Sequence, residues 1–128
     1  MSKVDKNVVL IPGSMTFTPP SYDEHKGTVR VSGGSPPSET GKWVVRLLKD
    51  GVYPVDLSYL GGNAGHQAAK VCTFVSTVVY KDLGLILTWM PVIVKVKVDA
   101  DQDTDDCYAS IWRSVLHGDV TMLKRLHG

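Results

Sequence analysis

The sequence is short of cysteine and of long apolar runs, and each shortage argues against a class of protein. Its two cysteines, Cys72 and Cys107, lie far apart and outside any CxxC spacing, which disfavours a disulfide framework or a zinc site. We expect both to be buried as small hydrophobic residues, with a bond between subunits as the alternative. Pro91, Lys95 and Lys97 interrupt the longest apolar run, so no stretch approaches the ~20 residues of a membrane span.

Motifs for catalysis and metal binding are also missing. The chain has no P-loop, GxGxxG, GxSxG or HExxH pattern. Asp99, Asp101 and Asp103 have the alternate spacing of a calcium loop, but Thr104 and Ser110 stand where that loop needs a glycine and a bidentate glutamate. We therefore expect no enzyme and no cofactor, with weak calcium binding at the three aspartates as the alternative.

Length and charge describe a small globular protein. At 128 residues the chain is predicted to form one domain, residues 1–128. Its first six residues lack the apolar core of a signal peptide, so we expect synthesis and retention in a cytoplasm. Residues 1–98 hold 11 Lys and Arg against 7 Asp and Glu, whereas residues 99–119 hold 1 against 6. This asymmetry permits an anionic partner on one face without requiring one.

Runs of β-prone residues predict a sheet over residues 28–98, preceded by a small hairpin within residues 1–18. Asp50-Gly51 has the composition of a type I′ turn and predicts a hairpin between two flanking strands. The last strand is unusually long, and Pro91 in it requires an edge position or a bulge. Because the strands follow one another, we expect a five-stranded antiparallel meander. Its strands are predicted at 28–32, 42–49, 52–60, 71–81 and 83–98.

The C-terminal part, residues 104–126, is predicted to be a helical arm. The first helix begins at Asp103 or Thr104, presents an apolar face and ends at Gly118. Asp119 can cap a second helix over residues 120–126. The predicted fold class is therefore α+β. The sequence leaves open whether the apolar face of the arm covers the sheet of its own subunit or that of a partner.

Alternation along the predicted strands places polar side chains together on one face of the sheet. One interpretation is an ordinary solvated face. The other is a nucleic-acid platform, in which cations contact phosphates, hydroxyls bond bases or sugars, and an aromatic ring stacks on an unpaired base. Besides Lys81, the residues on this face are Lys42, Arg46, Ser58, Thr73, Thr77, Trp89, Lys95 and Lys97.

The order of these elements resembles that of the coat proteins of single-stranded RNA bacteriophages, the leviviruses. The resemblance rests on residues 43–57, as a central hairpin, and on residues 87–128, as strand, acidic hinge and helix pair. It implies subunits joined edge to edge as a homodimer, with each helical arm over the partner's sheet. Such dimers assemble into an icosahedral capsid whose inner sheet face binds genomic RNA, and in several members an RNA hairpin that represses replicase translation.

Carried over to this chain, the resemblance makes the eight polar-face residues other than Lys81 candidate RNA contacts. It makes Ile111, Trp112, Val115 and Leu123 candidate anchors between subunits, and it places the protein in a virion made in a bacterial cytoplasm. The main rival is a cellular β-sheet module that binds nucleic acid and forms a small oligomer. A small α+β enzyme with a site in the glycine-rich loops is a third class, for which the sequence offers no pocket.

Overall fold

A computed structural model describes residues 9–11, 15–17, 22–96 and 107–127 of the chain. Strands β1 (Val9–Ile11) and β2 (Met15–Phe17) pair as a small antiparallel hairpin, as the sequence predicted. The elements that follow are β3 (Thr28–Val31), α1 (Pro37–Lys49), β4 (Asp56–Tyr59), α2 (Gly62–Leu83), β5 (Ile86–Val96), β6 (Cys107–His117) and a 3₁₀ helix (Val120–Arg125).

The main sheet is mixed and has four strands in the order β3-β4-β6-β5. Strands β3 and β4 are parallel and are connected through α1, whereas β6 runs antiparallel to both of its neighbours. The α+β class is therefore confirmed. The predicted five-stranded meander does not match this arrangement, because two helices occupy segments that the sequence analysis assigned to strands.

The first of these segments is residues 42–49, which belong to helix α1. Gly41, Val44, Val45 and Leu48 are buried, and their spacing of three and four residues is that of one helical face. Gly51 does adopt a positive φ of 87°, but it follows Asp50, the residue that ends the helix, rather than forming a hairpin turn. A glycine with positive φ is required in both situations, so the Asp-Gly pair could not distinguish them.

The second segment is residues 71–81, which form the C-terminal half of α2. The buried residues of this helix are Ala64, Ala68, Val71, Val75 and Val79, again three or four positions apart. Strand propensity led to the wrong assignment here, since β-branched residues are accepted in a helix when the packing of one face rewards them. The two helices lie close together at Gly41, where an added Cβ would come within 2.2 Å of the Phe74 ring.

The predicted helix at 104–116 is also wrong, because residues Cys107–His117 form strand β6. This strand pairs with all eleven residues of β5, from Ile86 opposite His117 to Val96 opposite Cys107. Only the second helix of the predicted arm survives, as the short 3₁₀ helix that Asp119 caps by accepting a hydrogen bond from the Thr121 N–H. The strands predicted at 28–32, 52–60 and 83–98 are found, with shorter bounds, as β3, β4 and β5.

One core joins both helices to one face of the sheet. It includes Val44 and Leu48 of α1, Val71 and Val75 of α2, and sheet residues such as Leu57. Leu123 and Leu126 close the same core from the C-terminal end. The sheet therefore has a helical side and an opposite side, and β5 and β3 are its two edges.

Candidate functional site

Strand β5 presents one edge to β6 and leaves the other edge open. In an antiparallel pair, the N–H and C=O of a residue point the same way, and successive residues alternate between the two edges. The carbonyl oxygens of Leu87 and Lys95 accept hydrogen bonds from outside the hairpin, from the Ser76 hydroxyl at 2.9 Å and the Tyr22 N–H at 3.2 Å. The backbone N–H and C=O groups of the odd-numbered residues of β5 therefore point away from β6.

The direction of the hydrogen bonds that β6 makes agrees with this assignment. The Ser114 N–H, in the residue paired with Trp89, is directed to the other side of β6 and donates to the Val55 carbonyl at 2.9 Å. Between Leu87 and Lys95, the outward groups of Trp89, Pro91 and Ile93 have no hydrogen-bond partner among the described residues. Proline has no N–H, so this open edge offers two donors and three acceptors.

Large apolar side chains of β5 remain exposed beside this edge. Ile93 is 48% exposed on the helical side of the sheet, and Met90 and Ile86 are 48% and 58% exposed on the opposite side. Long, apolar edge strands are normally shielded because they pair readily with other strands. The open edge of β5, defined as residues 89–93, is therefore a surface suited to an additional strand.

A groove of about 620 Å³ lies between this edge and helix α2. Its walls are mostly apolar, and Trp89 on β5 is tied to α2 because its indole N–H donates to the Ser76 hydroxyl at 3.0 Å. Burial raises the pKa of the Cys72 thiol to about 12, so this cysteine is an unreactive wall residue. The groove is lined by Cys72, Thr73, Ser76, Thr77, Tyr80, Lys81 and Trp89.

A buried ionic cluster lies on the opposite side of the sheet. The Asp56 side chain is fully buried on β4 and accepts two hydrogen bonds from Arg113 of β6, at 2.8 and 2.9 Å. His25 and Tyr22 donate to the same carboxylate, at 2.7 and 3.1 Å. The His25 Nδ1 accepts the Gly27 N–H, which leaves the proton of the neutral ring on Nε2.

This cluster fixes the segment before β3 against the sheet, and its electrostatics follow from its contacts. Burial acts to raise the pKa of Asp56, but the hydrogen bonds from Arg113 and His25 outweigh it and hold that pKa below its usual range. Burial raises the pKa of Tyr22 to about 12. The Tyr22 hydroxyl also lies 2.7 Å from the Thr28 hydroxyl, so the cluster is suited to holding the Tyr22 end of the segment beside β5.

The helical layer is strongly basic. Its three helices carry Lys42, Arg46 and Lys49 on α1, Lys70 and Lys81 on α2, and Lys124 and Arg125 on the 3₁₀ helix. The same ranges contain two acidic residues, Glu39 and Asp82. The Asp82 carboxylate accepts a hydrogen bond from the His127 N–H, which lowers its pKa. This layer is the surface of the described chain best suited to a polyanion.

The eight predicted RNA contacts do not share one sheet face. Lys42 and Arg46 are exposed on α1, and Thr73 and Thr77 are exposed on α2. Ser58 is half-buried on the sheet side opposite the helices, where it pairs with Ile111. The structure does bring Thr73, Thr77 and Trp89 together in the groove. Lys95 lies half-buried near the end of β5, and Lys97 lies outside the described residues.

The four predicted dimer anchors are strand and core residues rather than one helical stripe. Ile111 and Leu123 are 1% and 2% exposed, so the described chain itself already buries them. Trp112 packs against the core on the helical side, whereas Val115 is half-buried on β6. Sequence reasoning did not single out the open edge of β5 with Ile93. The signal for it was Pro91, which requires an edge position or a bulge, but a single sequence could not show which strand would cover which edge.

Across 22–96 and 107–127, no three metal-ligating side chains cluster in a way that could hold an ion. The calcium candidates Asp99, Asp101 and Asp103 lie outside the described residues. Neither of the two α-helices in the described chain is long and apolar enough to cross a membrane.

Comparison of the chain with known protein families and with curated proteins finds no match in either set.

The Asp56 cluster generates a prediction about pH and stability. Because folding lowers the pKa of Asp56, its carboxylate stabilises the fold above about pH 4, the ordinary aspartate range, and this contribution disappears as pH falls through the folded pKa. We expect Asp56→Asn to lower the free energy of unfolding at pH 7 by about 2 kcal/mol. Urea denaturation of wild type and variant from pH 7 to pH 3 measures the difference.

The difference between wild type and Asp56→Asn should narrow as the pH falls below 4. Asp23→Asn is the matched control, since Asp23 is exposed on the same segment. A difference that stays constant down to pH 3 would contradict the role of the ionised carboxylate.

Proposed function

We propose that this protein is a structural coat subunit that forms a homodimer, assembles into a closed icosahedral shell and packages RNA. The observation that carries this proposal is the open edge of β5 at residues 89–93, whose outward backbone groups have no partner among the residues that the structure describes and whose apolar side chains are exposed. Two copies can pair these edges antiparallel and continue one sheet across both subunits. Such a contact is symmetric, and a symmetric dimer is the natural building unit of a larger closed assembly.

The length of the β5–β6 hairpin supports an assembly role. Strand β4 pairs with β6 only from Ile111 to Arg113, whereas β5 and β6 pair over eleven residues each. The hairpin therefore extends beyond the part of the sheet that β4 supports. A projecting two-stranded ribbon is weakly stable alone and gains from pairing or packing with a neighbour.

The basic helical layer supports RNA as the packaged partner. Lys42 and Arg46 are four residues apart on α1, so their side chains lie on the same exposed stripe. Exposed cations of this kind bind phosphates without reading sequence, which is the property that packaging of a whole genome requires. We propose that RNA contacts the helical layer rather than a sheet face, and that the same surface represses translation when it binds an RNA hairpin.

The proposal does not depend on the details of the levivirus resemblance. The five-stranded meander and the long C-terminal helix that suggested it are replaced by α1, α2 and β6 in the described chain. What remains in its favour is the long strand β5 with a proline at an open edge, together with a basic surface. In this proposal the protein has no catalytic role, is made in a bacterial cytoplasm and ends in a virion.

The second candidate is a cellular nucleic-acid-binding module that remains a small oligomer. The basic helical layer favours it equally, since it requires no shell. Particle size distinguishes the two proposals. A shell elutes near the void volume of a sizing column and is visible by negative-stain microscopy. A small oligomeric module elutes later and shows no shells.

Expression of the protein alone in bacteria tests assembly, and one backbone variant tests the edge. We expect uniform shells that protect RNA from nuclease, with nucleic-acid absorbance across the peak. Ile93→Pro should give a folded monomer, because it removes an outward N–H without removing a bond to β6. Ile93→Val keeps that N–H and should still assemble. Shells formed by Ile93→Pro, or an RNA-free wild-type monomer under mild conditions, would overturn the proposal.

The double variant Lys42→Ala/Arg46→Ala tests the RNA surface. Binding to single-stranded RNA should weaken, and the slope of log affinity against log salt should fall by about 1.4, as expected for two lost phosphate contacts. Fluorescence anisotropy at several salt concentrations measures this slope. Lys26→Ala, an exposed cation outside the helical layer, is the control. An unchanged slope in the double variant would place the RNA elsewhere.

A further inference from the structure

The groove beside the open edge has no occupant within the described chain, and the edge carries an apolar side chain that could fill it in another copy. Ile93 and Trp89 are both odd-numbered residues of β5, so both side chains project to the helical side of the sheet. Trp89 forms a wall of the groove, whereas Ile93, four residues along, is 48% exposed. Each copy therefore has an exposed apolar side chain, Ile93, and an apolar groove beside the same edge.

Antiparallel pairing of two identical edges brings these features together. If the two strands run in opposite directions about a two-fold axis, a residue after the axis in one copy lies opposite a residue before it in the other. Ile93 of each copy is then carried toward the Trp89 end of the other copy. Each subunit supplies one Ile93 side chain and one groove, so the contact is self-complementary.

The length of the open edge sets the register. Each Pro91 lacks an N–H, so the proline removes one hydrogen bond per copy in every register that pairs it. The carbonyls of Leu87 and Lys95 are already bonded within the chain, which leaves residues 89–93 for pairing. The register that keeps every pair inside this span places the two Pro91 residues opposite each other at the two-fold axis. Ile93 of one copy then lies opposite Trp89 of the other, a lining residue of the groove.

We propose that the groove between α2 and β5 is the receptor for Ile93 of a second copy of this chain. The inference rests on the edge pairing proposed above and adds the side-chain contact that gives that pairing its preference for self. The backbone of an extended strand satisfies the open edge, but any strand could do that. Seating Ile93 in the groove favours a second copy over an unrelated peptide, because two-fold pairing always presents this residue at the groove, whereas a peptide does so only if it carries an apolar residue at that position.

Site-specific cross-linking between two different single-cysteine copies tests the contact. Both copies carry Cys72→Ser and Cys107→Ser; one adds Thr77→Cys at the groove, and the other adds Ile93→Cys. Thr77 is exposed and lines the groove, so its replacement disturbs little. After co-expression and treatment with a short bismaleimide, we expect the mixed covalent dimer to approach about half of the protein, the share of mixed pairs that random association of two equal copies gives. Because each copy has one cysteine, no cross-link within a subunit can mimic this result.

The control replaces Ile93→Cys by Ile86→Cys, which is at least as exposed but lies on the opposite side of the sheet. That combination should cross-link at least tenfold less. Light scattering on the same samples shows whether dimers are present. Dimers without the Thr77–Ile93 cross-link would overturn the groove contact while leaving edge pairing intact, whereas monomers throughout would overturn the edge pairing on which it rests. Equal cross-linking in both combinations would mean that the copies meet in another way.

Discussion

The ladder of hydrogen bonds between β5 and β6 is the constraint on which the rest of the structure depends. Eleven residues of each strand are paired, and β6 in turn pairs with β4, so one strand connects the hairpin to the helical part of the fold. This ladder determines which backbone groups of β5 are satisfied within the chain. It also fixes which side chains face the helices, and so where the core, the groove and the open edge lie.

The two sides of the sheet are stabilised differently. On the helical side, apolar residues of both helices pack with Leu57 and Leu87 into one core. On the other side, the buried Asp56 carboxylate is compensated by Arg113, His25 and Tyr22. The second arrangement also positions the backbone of Tyr22 at Lys95. The open edge is consequently bounded at one end by Tyr22 and at the other by Ser76, so that within the described part of the chain residues 89–93 remain for an additional strand.

The sequence supported the α+β class and the existence of β1, β2, β3, β4 and β5, where β-prone runs and turn residues agreed. The prediction from sequence was wrong where a segment had both strand-forming residues and the apolar spacing of a helix. Residues 71–81 are rich in β-branched residues, yet Val71, Val75 and Val79 also have helical spacing, and packing against α1 and the sheet decided for the helix. Residues 107–117 have an apolar spacing that predicted a helix, but they form strand β6, which pairs with eleven residues of β5.

The sequence analysis included Thr73, Thr77 and Trp89 in the candidate site. Their position on a groove wall depends on a tertiary contact between α2 and β5 that no local sequence pattern encodes.

The central claim is that the outward backbone groups of β5 pair with a second copy. The most direct test is residue-resolved amide hydrogen exchange of the Trp89 and Ile93 amides at several protein concentrations. These outward N–H groups should exchange rapidly in dilute solution and become protected as concentration rises, whereas the inward amides of Met90 and Val92 stay protected throughout. Exchange at Trp89 and Ile93 that is rapid and independent of concentration, in samples shown to be assembled, would contradict the account.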